Sequence, residues 1–150
     1  MDTDLPFLDE HHVHVSVPPR AAWEGLTTWI ASSPLGVSNL LADLLGTDPR
    51  RASGTLPAVD ATTTGFRVIE SVPGDHLTLS GRHRFARYTL RFTIRSESGG
   101  SVLSACSYAT FPGVIGSTYR WFVIGTGAHR LLVPRILARI ARHAERRSTA

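Results

Sequence analysis

The amino-acid sequence predicts an α+β protein in which a curved antiparallel sheet is closed by one long C-terminal helix. Between residues 66 and 111, apolar and polar residues alternate with the period of two that is typical of half-buried β-strands. From residue 128 to residue 147, apolar residues instead recur at the spacing of one helical face, and arginines occupy the opposite face. We expect residues 1–150 to form a single domain, with a loose tail over residues 1–8 and a folded core over residues 12–146.

One strand and two helices are expected before the main part of the sheet. Residues 10–17 alternate in the manner of a half-buried strand, with His11 on its more apolar face. The two prolines that follow end this strand and suit the first turn of a helix, and a second helix is expected to end at Gly46. The apolar positions that predict the two helices are Ala22, Trp23, Leu26 and Ile30 for the first, and Val37, Leu40, Leu41, Leu44 and Leu45 for the second.

Four further strands are expected after a loop or weak edge strand over residues 47–64. Their predicted ranges are Phe66–Val72, His76–Arg84, Arg87–Arg95 and Val102–Phe111. Pairing Arg84 with Arg87 across one turn, and Glu70 with Leu77 across another, puts apolar side chains on one face of three strands and arginines on the other. The last strand is apolar on both faces, so the sequence does not orient it.

The long helix is expected to begin near Ala128, because Gly125 and Gly127 interrupt the helical pattern before it. Pro134 then falls in the first turns of the helix, where its missing N–H matters least. The stripe expected to pack on the sheet comprises His129, Leu132, Val133, Ile136, Leu137, Ile140 and Ala144.

Composition narrows the classes of protein that fit the chain. Cys106 is the single cysteine, so no intramolecular disulfide can form, and no apolar run approaches the roughly 20 residues needed to cross a bilayer. The acidic start differs from the basic start of a secretory signal, so a cytoplasmic location is expected. The formal net charge is +4, and all 16 cationic residues are arginine, which indicates GC-rich coding and not selection for phosphate binding.

Several stretches resemble the START-like superfamily, also called SRPBCC. The segment His14–Trp23 is similar to that superfamily's opening strand, proline turn and helix. The segments Gly65–Val68 and Arg91–Ile94, and the region from Phe111 through Tyr119 to His129, look like an uncharacterised bacterial branch of it. The resemblance covers most of the chain and implies a helix-grip fold. Members bind lipids, sterols, polyketides or plant hormones between the sheet and the last helix, and some are aromatase/cyclases, so the resemblance implies a cavity.

We therefore expect the apolar face of the sheet and the last helix to enclose a site for a hydrophobic or amphipathic small molecule. Gly81 is expected to leave room opposite Leu90. The residues expected to contact the ligand are Phe66, Val68, Glu70, Leu79, His83, Tyr88, Leu90, Phe92, Tyr119, His129, Leu132 and Ile136. A structural role is the alternative for His83 and Tyr88, which as neighbours on adjacent strands could simply hydrogen-bond at the rim of the sheet.

Two other functions stay open, and no catalytic residue is assigned. The first is a polyketide cyclase or dehydratase in which His83, Tyr88 or His129 does acid–base work, since the pKa of histidine lies near neutrality. The second is an interaction module whose arginines meet nucleic acid or an acidic partner. Aromatic residues do not interleave with those arginines as single-stranded nucleic acid would require, so no nucleic-acid partner is expected.

No metal and no other cofactor is expected. His12 and His14 share a strand face, but the sequence offers no third ligand at a zinc spacing. A lone cysteine in an apolar strand, such as Cys106, is usually inert. The glycines at positions 113, 116, 125 and 127 lack the strand-to-helix context of a phosphate-binding loop.

Overall fold

The computed structural model describes residues 5–32, 46–49, 51–113, 117–118 and 128–149, and in the last helix it describes side chains from Leu131 onward. The strands in these ranges are β1 (Phe7–Val15), β2 (Thr62–Thr63), β3 (Phe66–Val72), β4 (His76–His83), β5 (Ala86–Glu97) and β6 (Gly100–Thr110). The long helices are α1 (Pro19–Ser32) and α2 (Ala128–Thr149). Within the described residues, no helix combines the length and apolar character needed to span a bilayer.

The strands form one antiparallel sheet in the order β1-β6-β5-β4-β3-β2. Strands β2 to β6 follow one another as a meander, and β1 pairs with β6 at the edge of the sheet. The chain leaves the sheet after β1 to form α1, and it returns to cover the same face with α2. The predicted α+β helix-grip fold is therefore confirmed.

Helix α1 begins at Pro19, whose fixed φ suits the first helical position. It buries the apolar residues that predicted it, namely Ala22, Trp23, Leu26 and Ile30. The predicted second helix falls outside the described residues. Gly46, expected at the exit of that helix, has a φ of 64°, a left-handed conformation that glycine adopts without strain.

Helix α2 begins at Ala128, as predicted, and its C-terminal half is fixed to the neighbouring elements. The Oε1 atom of Glu145 accepts a hydrogen bond from the backbone N–H of Ser16 at 2.9 Å. The Nε2 atom of His143 lies 3.0 Å from the Oγ1 atom of Thr28 in α1. These contacts hold the end of α2 against both α1 and the segment that follows β1.

The buried stripe of α2 comprises Val133, Ile136, Leu137, Ile140, Ala141 and Ala144. The expectation that Leu132 belongs to this stripe is wrong, because 44% of its surface is exposed. Helical spacing identifies the residues that share a face, but it does not say how far along the helix the packed neighbours extend.

We call the side of the sheet that packs against α1 and α2 the inner face, and the opposite side the outer face. Residues at odd positions of β6 lie on the inner face, which settles the orientation that the sequence left open. Its most buried apolar members, each no more than 1% exposed, are Val15, Val68, Leu77, Leu79, Phe92, Leu103 and Ala105. Full burial of a large apolar side chain contributes about 1.5–3 kcal/mol, so this set is the main source of the stability of the fold.

Strands β4 and β5 pair two residues away from the predicted register. The turn comprises Arg84 and Phe85, so His83 lies opposite Ala86, and the predicted pair of Arg84 with Arg87 is wrong. The backbone N–H of Phe85 donates a hydrogen bond to Nδ1 of His83 at 3.1 Å, which closes the turn early, and Ala86 is buried as the first residue of β5. Because the shift is even, every side chain keeps its predicted face.

Strand β3 contains a β-bulge between Val68 and Glu70. Val68 pairs with Leu79, as predicted, but Glu70 lies opposite Thr78 and not opposite Leu77. A bulge adds one residue to one strand, so residues beyond it meet the partner strand on the other face. The expectation that Glu70 points to the inner face is therefore wrong, and this carboxylate lies on the outer face.

Candidate functional site

The inner face changes character along the sheet. Under α1 and the C-terminal half of α2 it is buried and almost entirely apolar, and the one buried serine there, Ser101, donates its hydroxyl to the carbonyl oxygen of Val17 at 2.6 Å. Toward the β4–β5 turn, Leu90 and Phe66 are only half-buried, and polar side chains join them. We call this region the polar end, and its polar members are Asp9, His11, His83, Tyr88 and Ser107. A largely apolar surface with a few convergent polar groups is the usual form of a small-molecule site.

Tyr88 stands at one wall of the polar end. Its hydroxyl donates a hydrogen bond to the carbonyl oxygen of Gly65 at 2.8 Å, and its ring packs edge-on against Phe66 with 5.2 Å between centroids. These contacts tie β5 to the residue just before β3. The phenol is therefore held in a fixed position by the fold.

Gly81 lies directly opposite Tyr88, and the expectation that it leaves room beside Leu90 is wrong. A Cβ atom at Gly81 would overlap the carbonyl oxygen of Gly65 and would lie 2.8 Å from Cε2 of Tyr88. The missing side chain of Gly81 is thus replaced by the backbone of Gly65. The sequence pattern identified the face of this glycine but not the chain segment that approaches it.

His83 is half-buried, and burial lowers the pKa of its imidazole. Its Nδ1 atom accepts the hydrogen bond from Phe85, so in the neutral ring the proton is on Nε2. The ring also packs against Tyr88, with 5.7 Å between centroids. His83 therefore has the structural role of closing the turn.

Three residues of the polar end were not among the predicted site residues. The Nε2 atom of His11 lies 3.2 Å from Oδ2 of Asp9, which forms a carboxylate–imidazole pair on β1. Asp9 lies opposite Ser107 of β6, and Ser107 lies opposite Leu90 of β5. Ser107 is only 5% exposed, and its Oγ atom has no hydrogen-bond partner in the part of the chain that the structure describes.

A sequence signal existed for only part of this group. The alternation of β1 places His11 on the same face as Val13 and Val15, so its inward position could have been used. Ser107 gave no such signal, because the last strand is apolar on both faces. Its position follows from the pairing of β6 with β1 and β5, which no local pattern specifies.

The structure divides the predicted ligand contacts into several groups. Those in the closed core of the inner face are Val68, Leu79, Phe92 and Ile136, and those half-buried near the polar end are Phe66, His83, Tyr88 and Leu90. Glu70 lies on the outer face, and Leu132 is exposed at the start of α2. Tyr119 and the side chain of His129 lie outside the described residues.

The outer face carries the arginines, as the alternation predicted. Arg67, Arg82, Arg84 and Arg87 are exposed, and the Nε atom of Arg82 lies 3.0 Å from Oδ2 of Asp48. A shallow groove of about 270 Å³ is lined by Asp48, Arg67, Arg82 and Arg87. The arginines therefore form a solvated surface on the side of the sheet away from the helices.

A cluster of titratable groups lies at the β3–β4 turn on the outer face. Asp75 accepts a hydrogen bond from Nδ1 of His76, and Oε1 of Glu70 lies 2.8 Å from Nε2 of the same ring. The Asp75 and Glu70 carboxylates raise the pKa of His76. The hydrogen-bonding and charge of His76 in turn lower the pKa of Glu70.

The cluster predicts a pH-dependent contribution to stability. The raised pKa of His76 gives a contribution that is complete below its ordinary pKa of 6.5 and is lost as the pH rises through the folded value. The lowered pKa of Glu70 gives one that is complete above 4.5 and is lost as the pH falls through the folded value. We expect His76→Gln to reduce the free energy of unfolding by about 1 kcal/mol between these two pH values, and by less in alkaline solution.

Urea unfolding at several pH values would measure this difference. His12→Gln is the matched control, because His12 is an exposed outer-face histidine outside the cluster. A destabilisation by His76→Gln that is the same at mildly acidic and alkaline pH would contradict the assignment.

Neither the histidines of β1 nor Cys106 forms a metal-binding site within the described residues. The described residues hold no set of three side chains that could bind a metal ion. His14 contacts Glu97, with 2.8 Å between Nδ1 and Oε2, and His12 is exposed. Burial raises the pKa of the Cys106 thiol, which disfavours the reactive thiolate.

Comparison with known proteins identifies the fold. No family model and no curated protein matches the chain. A solved structure from Nitrosomonas europaea matches with a TM-score of 0.56 at 14% sequence identity, over 100% of both chains. One from Mesorhizobium loti matches with a TM-score of 0.57 at 15% identity, over 92% of this chain and 96% of the other. At these identities the matches establish a shared fold only.

Two further matches come from biosynthetic systems. DynU16, from the dynemicin biosynthetic locus, matches with a TM-score of 0.54 at 16% identity over 91% of this chain and 46% of its own. The di-domain ARO/CYC StfQ, from the steffimycin biosynthetic pathway, matches with a TM-score of 0.53 at 17% identity over 95% of this chain and 51% of its own. The chain thus spans about half of each of these proteins.

Proposed function

We propose that the protein is a START-like protein that binds a hydrophobic or amphipathic small molecule between the inner face and α2. The observation that carries this proposal is the change along the inner face from a closed apolar core to a half-buried region with polar groups. Among the described residues, the buried hydroxyl of Ser107 in this region has no hydrogen-bond partner, and a buried polar group is costly unless it is paired. The shared fold of DynU16 and StfQ also supports it, since both come from systems that make small molecules.

The polar end suggests how such a ligand would be held. Leu90 and Phe66 offer apolar surface that is not yet fully buried, and covering it would contribute about 25 cal/mol for each Å² removed from water. Tyr88 and His83 are fixed by their own hydrogen bonds, so they would shape the wall without losing conformational freedom on binding. Affinity would come mainly from apolar contact, and the few polar groups would set the orientation.

A substitution that fills the region tests this proposal. Leu90→Trp replaces a leucine side chain on the inner face with a bulkier indole ring, which fills the space proposed for the ligand. We expect this variant to bind the neutral hydrophobic dye Nile red at least about tenfold more weakly, as judged by fluorescence titration. Thr93→Trp is the matched control, because Thr93 is half-buried on the outer face of the same strand. Equal affinity in Leu90→Trp and in the unaltered protein would place the pocket elsewhere, and no dye binding by the unaltered protein would contradict the proposal.

The alternative of a cyclase or dehydratase has support from the likeness to StfQ. The arrangement of the two best candidates favours binding without catalysis. The Nδ1 atom of His83 is engaged as an acceptor in the turn, so this ring could take up a proton only by losing that bond. The hydroxyl of Tyr88 already donates to a backbone carbonyl. We therefore propose a binding protein and assign no catalytic residue.

The alternative of an arginine-rich interaction module has less support. The outer-face neighbours of the arginines along β4 and β5 are mostly Thr78, Ser80, Thr89 and Thr93. The aromatic rings of Tyr108 and Phe7 on this face pack against each other, with 5.9 Å between centroids, and do not alternate with the arginines as stacking on bases would require. Exposed arginines on alternating positions of a solvated sheet face need no further explanation. The proposal therefore includes a hydrophobic small molecule as partner and no nucleic acid.

A further inference from the structure

The hydroxyl oxygen of Ser107 is buried on the inner face and has no hydrogen-bond partner among the described residues. Among the described residues, the buried side-chain nitrogen or oxygen atoms without a hydrogen-bond partner are His76 Nε2, Thr89 Oγ1 and Ser107 Oγ. The first is in contact with Glu70, and the second lies on the outer face, opposite Ser80. Ser107 lies in the middle of the inner face, in a row that runs across four strands through Leu79, Leu90 and Asp9.

An unpaired hydroxyl at this position is unfavourable for the empty protein. Its neighbours on the inner face of β6 are both alanines, Ala105 and Ala109, so a small apolar residue would fit the strand at least as well. A buried hydroxyl without a partner destabilises a fold, whereas the same hydroxyl paired with a ligand atom contributes to binding. Within the described part of the chain no group pairs with this hydroxyl, so the geometry points to a ligand atom as its partner.

We infer that Ser107, together with the Asp9–His11 pair, forms the polar anchor of the binding site, and that the ligand is an uncharged hydrophobic molecule with a hydroxyl or carbonyl group. This inference rests on the proposed function. The Oγ–H of Ser107 donates to the ligand oxygen, and a ligand hydroxyl donates in turn toward the carboxylate of Asp9 on the adjacent strand. A ligand with a carboxylate is disfavoured, because it would face the negative charge of Asp9.

The same three residue types occur in hydrolase triads, but their arrangement differs here. His11 contacts Asp9 through Nε2, and Ser107 has no hydrogen bond to His11 or to any other described residue. No chain of hydrogen bonds therefore runs from a carboxylate through an imidazole to the serine, as nucleophile activation requires. The group is suited to holding a polar atom and not to acyl transfer.

Three probes with one ring system separate the polar contact from the apolar one. We expect naphthol to bind about tenfold more tightly than naphthalene, and naphthoate to bind more weakly than naphthol, by calorimetric or fluorescence titration. Ser107→Ala should lower the affinity for naphthol about five- to tenfold and leave the affinity for naphthalene unchanged. Ser104→Ala is the matched control, because Ser104 lies on the outer face of the same strand, and it should change neither affinity.

The outcomes distinguish this inference from the proposed function. Failure of both naphthalene and naphthol to bind the unaltered protein would overturn both. Binding of both probes with equal affinity, or equal effects of Ser107→Ala on both, would overturn the anchor alone and would fit a buried water molecule on Ser107. Thermal unfolding of the empty Ser107→Ala protein gives an independent check, because removal of an unpartnered hydroxyl should not lower the melting temperature, whereas a clear fall would indicate a structural hydrogen bond and contradict the inference.

Discussion

Gly81→Ala is expected to destabilise the protein by about 3 kcal/mol or more, which is at the upper end of the usual range for overpacking. The added Cβ atom would overlap the carbonyl oxygen of Gly65 and would lie 2.9 Å from its carbonyl carbon. Backbone atoms cannot move aside as the end of a flexible side chain can. The segment before β3 would have to separate from β4, and the hydrogen bond from Tyr88 to Gly65 would be lost with it. Urea unfolding followed by circular dichroism would measure the change.

Gly74→Ala is a control that separates the effect of steric overlap from the effect of an unfavourable backbone conformation. Gly74 has a φ of 78° in the β3–β4 turn, and no atom lies within 4 Å of the position of a Cβ atom. Alanine there should cost about 1 kcal/mol, the strain of a left-handed residue with a side chain. If Gly81→Ala were as mild as this control, the close approach of Gly65 to β4 would be wrong.

Gly25→Ala is expected to destabilise the protein by about 2–3 kcal/mol, although the same change inside a helix usually stabilises by about 0.5–1 kcal/mol. The reason is the close contact of α1 with α2. A Cβ atom at Gly25 would overlap the Cβ atom of Ala144 and would lie 2.6 Å from its Cα atom. The two helices would have to move apart, and the core between them and the sheet would loosen. Thermal or urea unfolding would show whether Gly25→Ala destabilises or stabilises the protein. Destabilisation is expected only if α1 and α2 are in this close contact.

A double-mutant cycle tests whether this contact is responsible. Ala144→Gly removes the Cβ atom that the new side chain meets first, so the double variant should recover part of the stability lost in Gly25→Ala. Recovery should be incomplete, because the Cα and backbone nitrogen of residue 144 stay within 3.2 Å of the new atom. Additive effects of the two substitutions, or a more stable Gly25→Ala protein, would contradict the packing described here.

The sequence predicted the faces of the strands well because alternation depends only on parity. The shift of the β4–β5 pairing by two residues left every side chain on its predicted face, although it moved Tyr88 from a position opposite His83 to one opposite Gly81. The bulge in β3 adds a single residue, so it reversed the face of Glu70. No turn residue or break in the pattern marks that bulge.

The candidate site was predicted less well than the fold, for two physical reasons. The first is that an apolar strand without alternation, such as β6, carries no information about its inward face, and Ser107 was missed for that reason. The second is that periodicity does not report where a neighbouring element ends, which explains the exposure of Leu132. Both kinds of information come from long-range contacts, which are set by the whole fold and not by local spacing.

The separation of the closed core from the polar end has a consequence for how this fold diversifies. Residues that hold the structure together, such as Phe92 and Leu103, are fully buried, and Ser107, which is proposed to contact the ligand, lies one or two cross-strand rows nearer the β4–β5 turn. Substitutions at the polar end can accumulate without loss of the core, so new ligand preferences can arise by small steps that selection tolerates. Such a division of labour is compatible with one architecture being formed by sequences as different as this chain and the matched structures, which share 13–17% identity with it.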